Sequence, residues 1–82
     1  MQNDLDRIDR DLRKRVIALS LERTQCEEMV GYCDAQLSKD DCGPMARQQL
    51  LGDRQKNHDR VVAIIRDLDE IHAERVRLGL AS

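Results

Sequence analysis

The residues that could carry chemistry are few: three cysteines, at positions 26, 33 and 42, and two histidines, at positions 58 and 72. A thiolate and an imidazole can act as nucleophile and base, or can bind a metal ion together. These cysteines have no Cys-x-x-Cys spacing and fit no zinc-binding pattern. None of the serine or threonine hydroxyls lies in a turn motif that would expose and activate it. We therefore expect no enzymatic activity, no metal and no cofactor.

The composition narrows the class of protein further. Of the 82 residues, 40% are apolar and 37% are charged, and Tyr32 is the only aromatic residue. This mixture is typical of long, solvated helices rather than of a mixed sheet. A net charge of −2 gives no electrostatic reason to expect nucleic acid or an anionic membrane as a partner. With no apolar stretch of about 20 residues and no signal-like N-terminus, we expect a cytoplasmic protein without a small-molecule substrate.

Two long helical patterns are separated by one break at Gly43-Pro44. Proline pushes the preceding residue into an extended conformation and is favoured in the first turn of a helix. Because the turn is short, the two helices must be antiparallel neighbours. The sequence predicts an all-α, coiled-coil-like hairpin that is one domain over residues 1–82, with helix 1 at about 3–38, a turn at 39–43 and helix 2 at about 44–78.

The register of this hairpin follows from placing the centre of the turn near Asp41. Residues whose numbers sum to roughly 82 or 83 then lie side by side, so that Leu19 faces Ile64 and Leu12 faces Ile71. The polar interruptions align as well: Glu22 faces Arg60 and Cys26 faces Asn57, with His58 close to Cys26. The spacing of these two residues with Cys33 fits no known zinc site. The register also predicts a small apolar cluster under the turn, formed by Met29, Val30, Cys33, Leu37, Met45, Leu50 and Leu51.

Several residues fall outside the seam between the helices or suggest a contact surface. The apolar pattern is wider than a single partner helix can cover, which leaves four apolar side chains in need of a second neighbour. The register also sets two helical glycines opposite each other with an aromatic residue beside them, which predicts a close backbone approach, a bend or a groove. The predicted partner-binding residues are Ile17, Leu21, Gly31, Tyr32, Gly52, Val62 and Ile65.

These observations favour a non-enzymatic protein–protein interaction module, a small helical adaptor, inhibitor or chaperone-type subunit that acts through an apolar helix face. Its partner would be a second copy, giving a homodimeric four-helix bundle, or a larger helical protein. The alternative is a nucleic-acid-binding regulator that acts as a helical hairpin dimer. That alternative requires five cations on one surface of the dimer, namely Arg7, Arg10, Lys14, Arg66 and Arg77. The acidic tip of the turn at Asp40-Asp41 is a separate candidate for a functional feature.

Overall fold

The computed structural model describes residues 2–39 and 41–80, and their side chains from residue 4 onward. It contains two α-helices, α1 at Gln2–Leu37 and α2 at Pro44–Arg77, which pack against each other. No strand occurs in the described ranges, so the predicted all-α class is confirmed. Neither of these helices has a stretch long and apolar enough to cross a membrane.

Both ends of α2 follow from local backbone chemistry. Gly43 has an extended backbone, with φ −69° and ψ 161°, and Pro44 occupies the first turn of the helix as predicted. At the other end Gly79 has a positive φ of 74°, a conformation that glycine adopts without steric cost. The backbone N–H of Gly79 donates to the carbonyl of Val76, and that of Leu80 donates to the carbonyl of Arg75. These two bonds satisfy helix carbonyls and end α2.

Three ion pairs between the helices establish their antiparallel arrangement. Asp9 pairs with Arg75, Glu22 with Arg60, and Asp34 with Arg54, so positions that rise along α1 meet positions that fall along α2. The hairpin is a rod with extents of 62 × 18 × 15 Å. The pairing of Glu22 with Arg60 confirms the predicted polar contact in the middle of the hairpin.

The core is a thin line of apolar residues along the contact between the helices. Ile64 and Cys33 are the most buried, at 0% and 1% exposure. Leu12 and Ile71, which the register places opposite each other, are both buried and line one groove. Among the residues that the structure describes, the remaining buried one is Cys26. Because so few side chains are covered, the hairpin leaves much apolar surface in contact with water.

The predicted cluster under the turn is wrong for three of its members. Met29, Leu51 and above all Met45, at 85% exposure, are exposed, whereas Cys33 is buried and Leu50 is half-buried. The reason is the 100° turn per residue of an α-helix. Met45 lies five residues before Leu50, which turns its side chain by about 140° away from the side that meets α1.

The two helical glycines do not bring the backbones together. Gly31 and Gly52 are exposed, and a Cβ atom added at either position would meet nothing within 4 Å. The prediction of a close backbone approach at this level is therefore wrong, because both residues face away from the seam.

Candidate interaction surface

One face of the hairpin, here called the charged face, is built from ionised side chains of both helices. Its central groove is lined by Glu22, Cys26, Met29, Asp53, Lys56, Asn57, Asp59 and Arg60. The guanidinium of Arg60 donates two hydrogen bonds to Glu22, with Nε 2.5 Å from Oε2 and Nη2 2.9 Å from Oε1. These bonds lower the pKa of Glu22 below its usual value and raise the pKa of Arg60. The bidentate contact fixes the register of the two helices at this level.

The same face extends toward the chain ends. A second groove there is lined by Leu12, Arg15, Asp67, Glu70, Ile71 and Glu74. Four of these six side chains are charged, so this face remains hydrated along most of its length.

The predicted proximity of Cys26 and His58 is not observed. Cys26 is buried and lines the central groove of the charged face, whereas His58 is exposed and does not line that groove. Nowhere in residues 2–39 and 41–80 do three histidine, cysteine or acidic side chains form a group that could hold a metal ion. The thiols of Cys26, Cys33 and Cys42 are free.

The opposite side of the hairpin has a groove with a less charged lining, although Arg75 there pairs with Asp9. This groove is lined by Val16, Ser20, Leu68, Ile71, His72 and Arg75, so Ser20 of α1 and His72 of α2 belong to one side. Ile17 lies one turn before Ser20, and Ile65 lies two turns before His72. Both therefore border this side, here called the apolar face and defined as Ile17 of α1 with Leu51, His58, Val62, Ile65, His72 and Val76 of α2.

The apolar face has large side chains that the hairpin itself does not cover. Ile17 is 70% exposed, Val62 43% and Ile65 37%, and all three were predicted to be partner-binding residues. They also lie at one level, because the pairing of Glu22 with Arg60 places residue 17 beside residues near 65. Leu21, at 60% exposure, follows one turn after Ile17 but lies nine residues from the buried Leu12, which turns it about 180° from the core. It therefore points away from α2, on the outer side of α1.

The other predicted partner-binding residues lie elsewhere, nearer the turn. Tyr32 is 55% exposed and lines a small groove with Gln36, Ala46, Gln49, Leu50 and Asp53. Gly31 and Gly52 are at the same end of the hairpin and open to solvent. The predicted site is thus two separate surfaces, with Ile17, Val62 and Ile65 in the middle and Tyr32 toward the turn.

The cations required by the nucleic-acid alternative are partly engaged with acids. Arg7 pairs with Asp4 at 3.7 Å, and Arg77 pairs with Glu74. The acidic tip falls partly on Asp40, which lies outside the described residues.

Sequence reasoning missed two of the ion pairs between the helices. These are Asp9 with Arg75, at 3.2 Å, and Asp34 with Arg54. Within α1, Arg13 also binds the carboxylate of Asp9, at 3.0 Å. The pair of Asp9 and Arg13 was visible in the sequence as an i,i+4 spacing. The contact with Arg75 could have been read from the register, which sets residue 75 opposite residue 8.

Comparisons with models of known protein families, with curated proteins and with solved structures find no match to this chain.

Proposed function

We propose that this chain is a non-enzymatic interaction module, a helical adaptor, inhibitor or chaperone-type subunit, which associates through its apolar face. The observation that supports the proposal is the exposure of Ile17, Val62 and Ile65 at one level of the same face. Apolar side chains grouped in this way on a helical rod mark a contact surface, whereas scattered ones do not.

The energetics of a small hairpin support the same conclusion. Chains of this length bury a smaller share of their surface than larger domains do, and oligomerisation is a common way to stabilise them. Full burial of an aliphatic side chain contributes roughly 1.5–3 kcal/mol, and a partner that covers one adds the part of this that corresponds to the surface still exposed. A second hairpin laid on the apolar face would form a four-helix bundle, in which every helix has two neighbours. Self-association is therefore the first form of the proposal, and docking on a larger helical protein is the second.

A single substitution tests the proposed face. Ile65→Asp would bury an unpaired charge in the interface, so we expect the mass measured by sedimentation equilibrium to fall from dimer to monomer. Met45→Asp is the matched control, because it places the same charge on a highly exposed apolar residue outside the apolar face.

The control should keep the dimer mass, and circular dichroism should show that both variants remain helical. A wild-type chain that stays monomeric at high concentration, with high thermal stability, would contradict self-association. A dimer that survives Ile65→Asp would contradict the choice of face.

A further inference from the structure

α2 has a second seam, separate from the one that packs on α1. Its spacing alternates between three and four residues from His58 onward, the spacing of a heptad seam. In the first seam Ile64 and Ile71 are buried, and Ile65 and His72 follow them by one residue each, so the second seam is turned by about 100°. An angle near 90° is what a helix in a four-helix bundle needs to meet two neighbours. The second seam comprises Leu51, Gln55, His58, Val62, Ile65, Asp69, His72 and Val76.

The second seam is self-complementary when two copies of α2 are placed antiparallel. In an antiparallel pair centred between residues 63 and 64, Val62 lies opposite Ile65 and Leu51 lies opposite Val76. The same alignment sets His58 opposite Asp69 and Gln55 opposite His72. Each apolar residue thus meets an apolar one, and each polar residue meets a polar one. A two-fold symmetric interface requires this self-complementarity.

We propose that α2 packs antiparallel against α2 of a second copy along this second seam, with His58 facing the partner subunit's Asp69. The inference rests on the proposed function and specifies its interface. The charges favour a second copy in this direction, because an imidazole and a carboxylate then meet twice by symmetry. A parallel pairing of the same seam would set Asp69 against Asp69, and like charges placed opposite each other are unfavourable.

Cysteine cross-linking tests the direction and the alignment together. The background is Cys42→Ser, since Cys26 and Cys33 are buried and Cys42 is half-buried. Leu51→Cys and Val76→Cys are made separately, and the two chains are mixed, unfolded, refolded together and oxidised mildly. Residues 51 and 76 are 25 positions apart, or about 37 Å along the helix, so two copies of either variant cannot link to themselves in an antiparallel pair.

We expect a covalent dimer on a non-reducing gel from the mixture, and at most traces from either variant alone or from the background chain. Strong cross-linking of each variant with itself would overturn the antiparallel direction. If sedimentation gives a dimer mass but the mixture forms no covalent link, the proposed alignment is wrong while self-association stands. A monomer mass in the same experiment would instead refute self-association, the form of the proposed function on which this inference rests.

A charge exchange provides a second test that does not depend on cysteine chemistry. His58→Asp should weaken the dimer by about two- to fivefold, because two aspartates then face each other twice in the interface. The double variant His58→Asp with Asp69→His restores the opposite types and should recover the wild-type dissociation constant. A His58→Asp chain with unchanged affinity, or a double variant weaker than the single one, would overturn the pairing of His58 with Asp69.

Discussion

At the scale of single residues, the clearest contact is the bidentate ion pair of Glu22 and Arg60. Both side chains are partly solvated, at 41% and 44% exposure, so solvent screens their attraction. The pair therefore contributes more to the alignment of the helices than to their stability. A shift of one turn along either helix would separate these two groups.

The pKa of Glu22 gives a prediction for the dependence of stability on pH. The Arg60 hydrogen bonds lower the pKa of the folded carboxyl below 4.5, so their contribution is present above that pH and is lost as pH falls through the folded pKa. We expect Glu22→Gln to lower the free energy of unfolding slightly at pH 7 and to have a smaller effect at pH 3. Urea unfolding of both chains at the two pH values measures this difference.

Glu28→Gln is the control, since Glu28 is an exposed glutamate in the same helix. It separates the loss of the ion pair from the loss of one negative charge. An equal effect of both substitutions at pH 7 would show that Arg60 adds nothing at this position.

At the scale of the elements, the helices are long and regular although each contains an interior glycine. Glycine costs a helix interior about 1 kcal/mol relative to alanine, because it loses more backbone freedom on folding. Gly31 and Gly52 have open space where a Cβ would lie, so nothing within the hairpin compensates for this cost. Either the cost is tolerated, or a partner approaches closely here, beside Tyr32.

Alanine substitutions distinguish these two explanations. We expect Gly31→Ala and Gly52→Ala each to raise the free energy of unfolding by roughly 0.5–1 kcal/mol, measured by urea denaturation at fixed protein concentration. Gly79→Ala is the contrasting control, because the positive φ of Gly79 should make alanine unfavourable by about 1–2 kcal/mol. Stabilised Gly31 and Gly52 variants that no longer associate would indicate a close partner contact at the glycines.

At the scale of the whole molecule, the hairpin is a thin rod whose two broad faces differ in character. The charged face carries the ion pair of Glu22 and Arg60, and the apolar face carries uncovered aliphatic side chains. Two rods of this kind can form a dimer in two ways, side by side or end to end. Only the side-by-side arrangement covers Val62 and Ile65, which lie in the middle of α2.

Small-angle X-ray scattering distinguishes the two arrangements. For a four-helix bundle we expect the mass to double while the maximum dimension stays near the 62 Å length of one hairpin, because the helices overlap along their length. Association through the turn or through the chain ends would instead nearly double that dimension. The Ile65→Asp chain gives the reference curve for a single hairpin.

The sequence by itself determined the helices, the break between them and the central register. The information was local: an apolar residue every three or four positions, Pro44 where α2 begins, and Gly79 where it ends. The contact of Glu22 with Arg60 followed because a short turn permits one antiparallel alignment, and counting from Asp41 gives it. The exposure of Ile17 and Leu21 could also be expected, since the apolar pattern there is too wide for one neighbour.

Only the tertiary structure decided which side chains of α2 are covered by α1. Met45 and Leu51 belong to the apolar pattern, yet they turn away from α1, because a helix pair buries a strip narrower than the apolar stripe on each helix. The separation of Cys26 from His58 has the same origin, since neighbours in register can still point to opposite faces. The division into a charged face and an apolar face, which directs both proposals, depends on the rotation of each helix about its own axis.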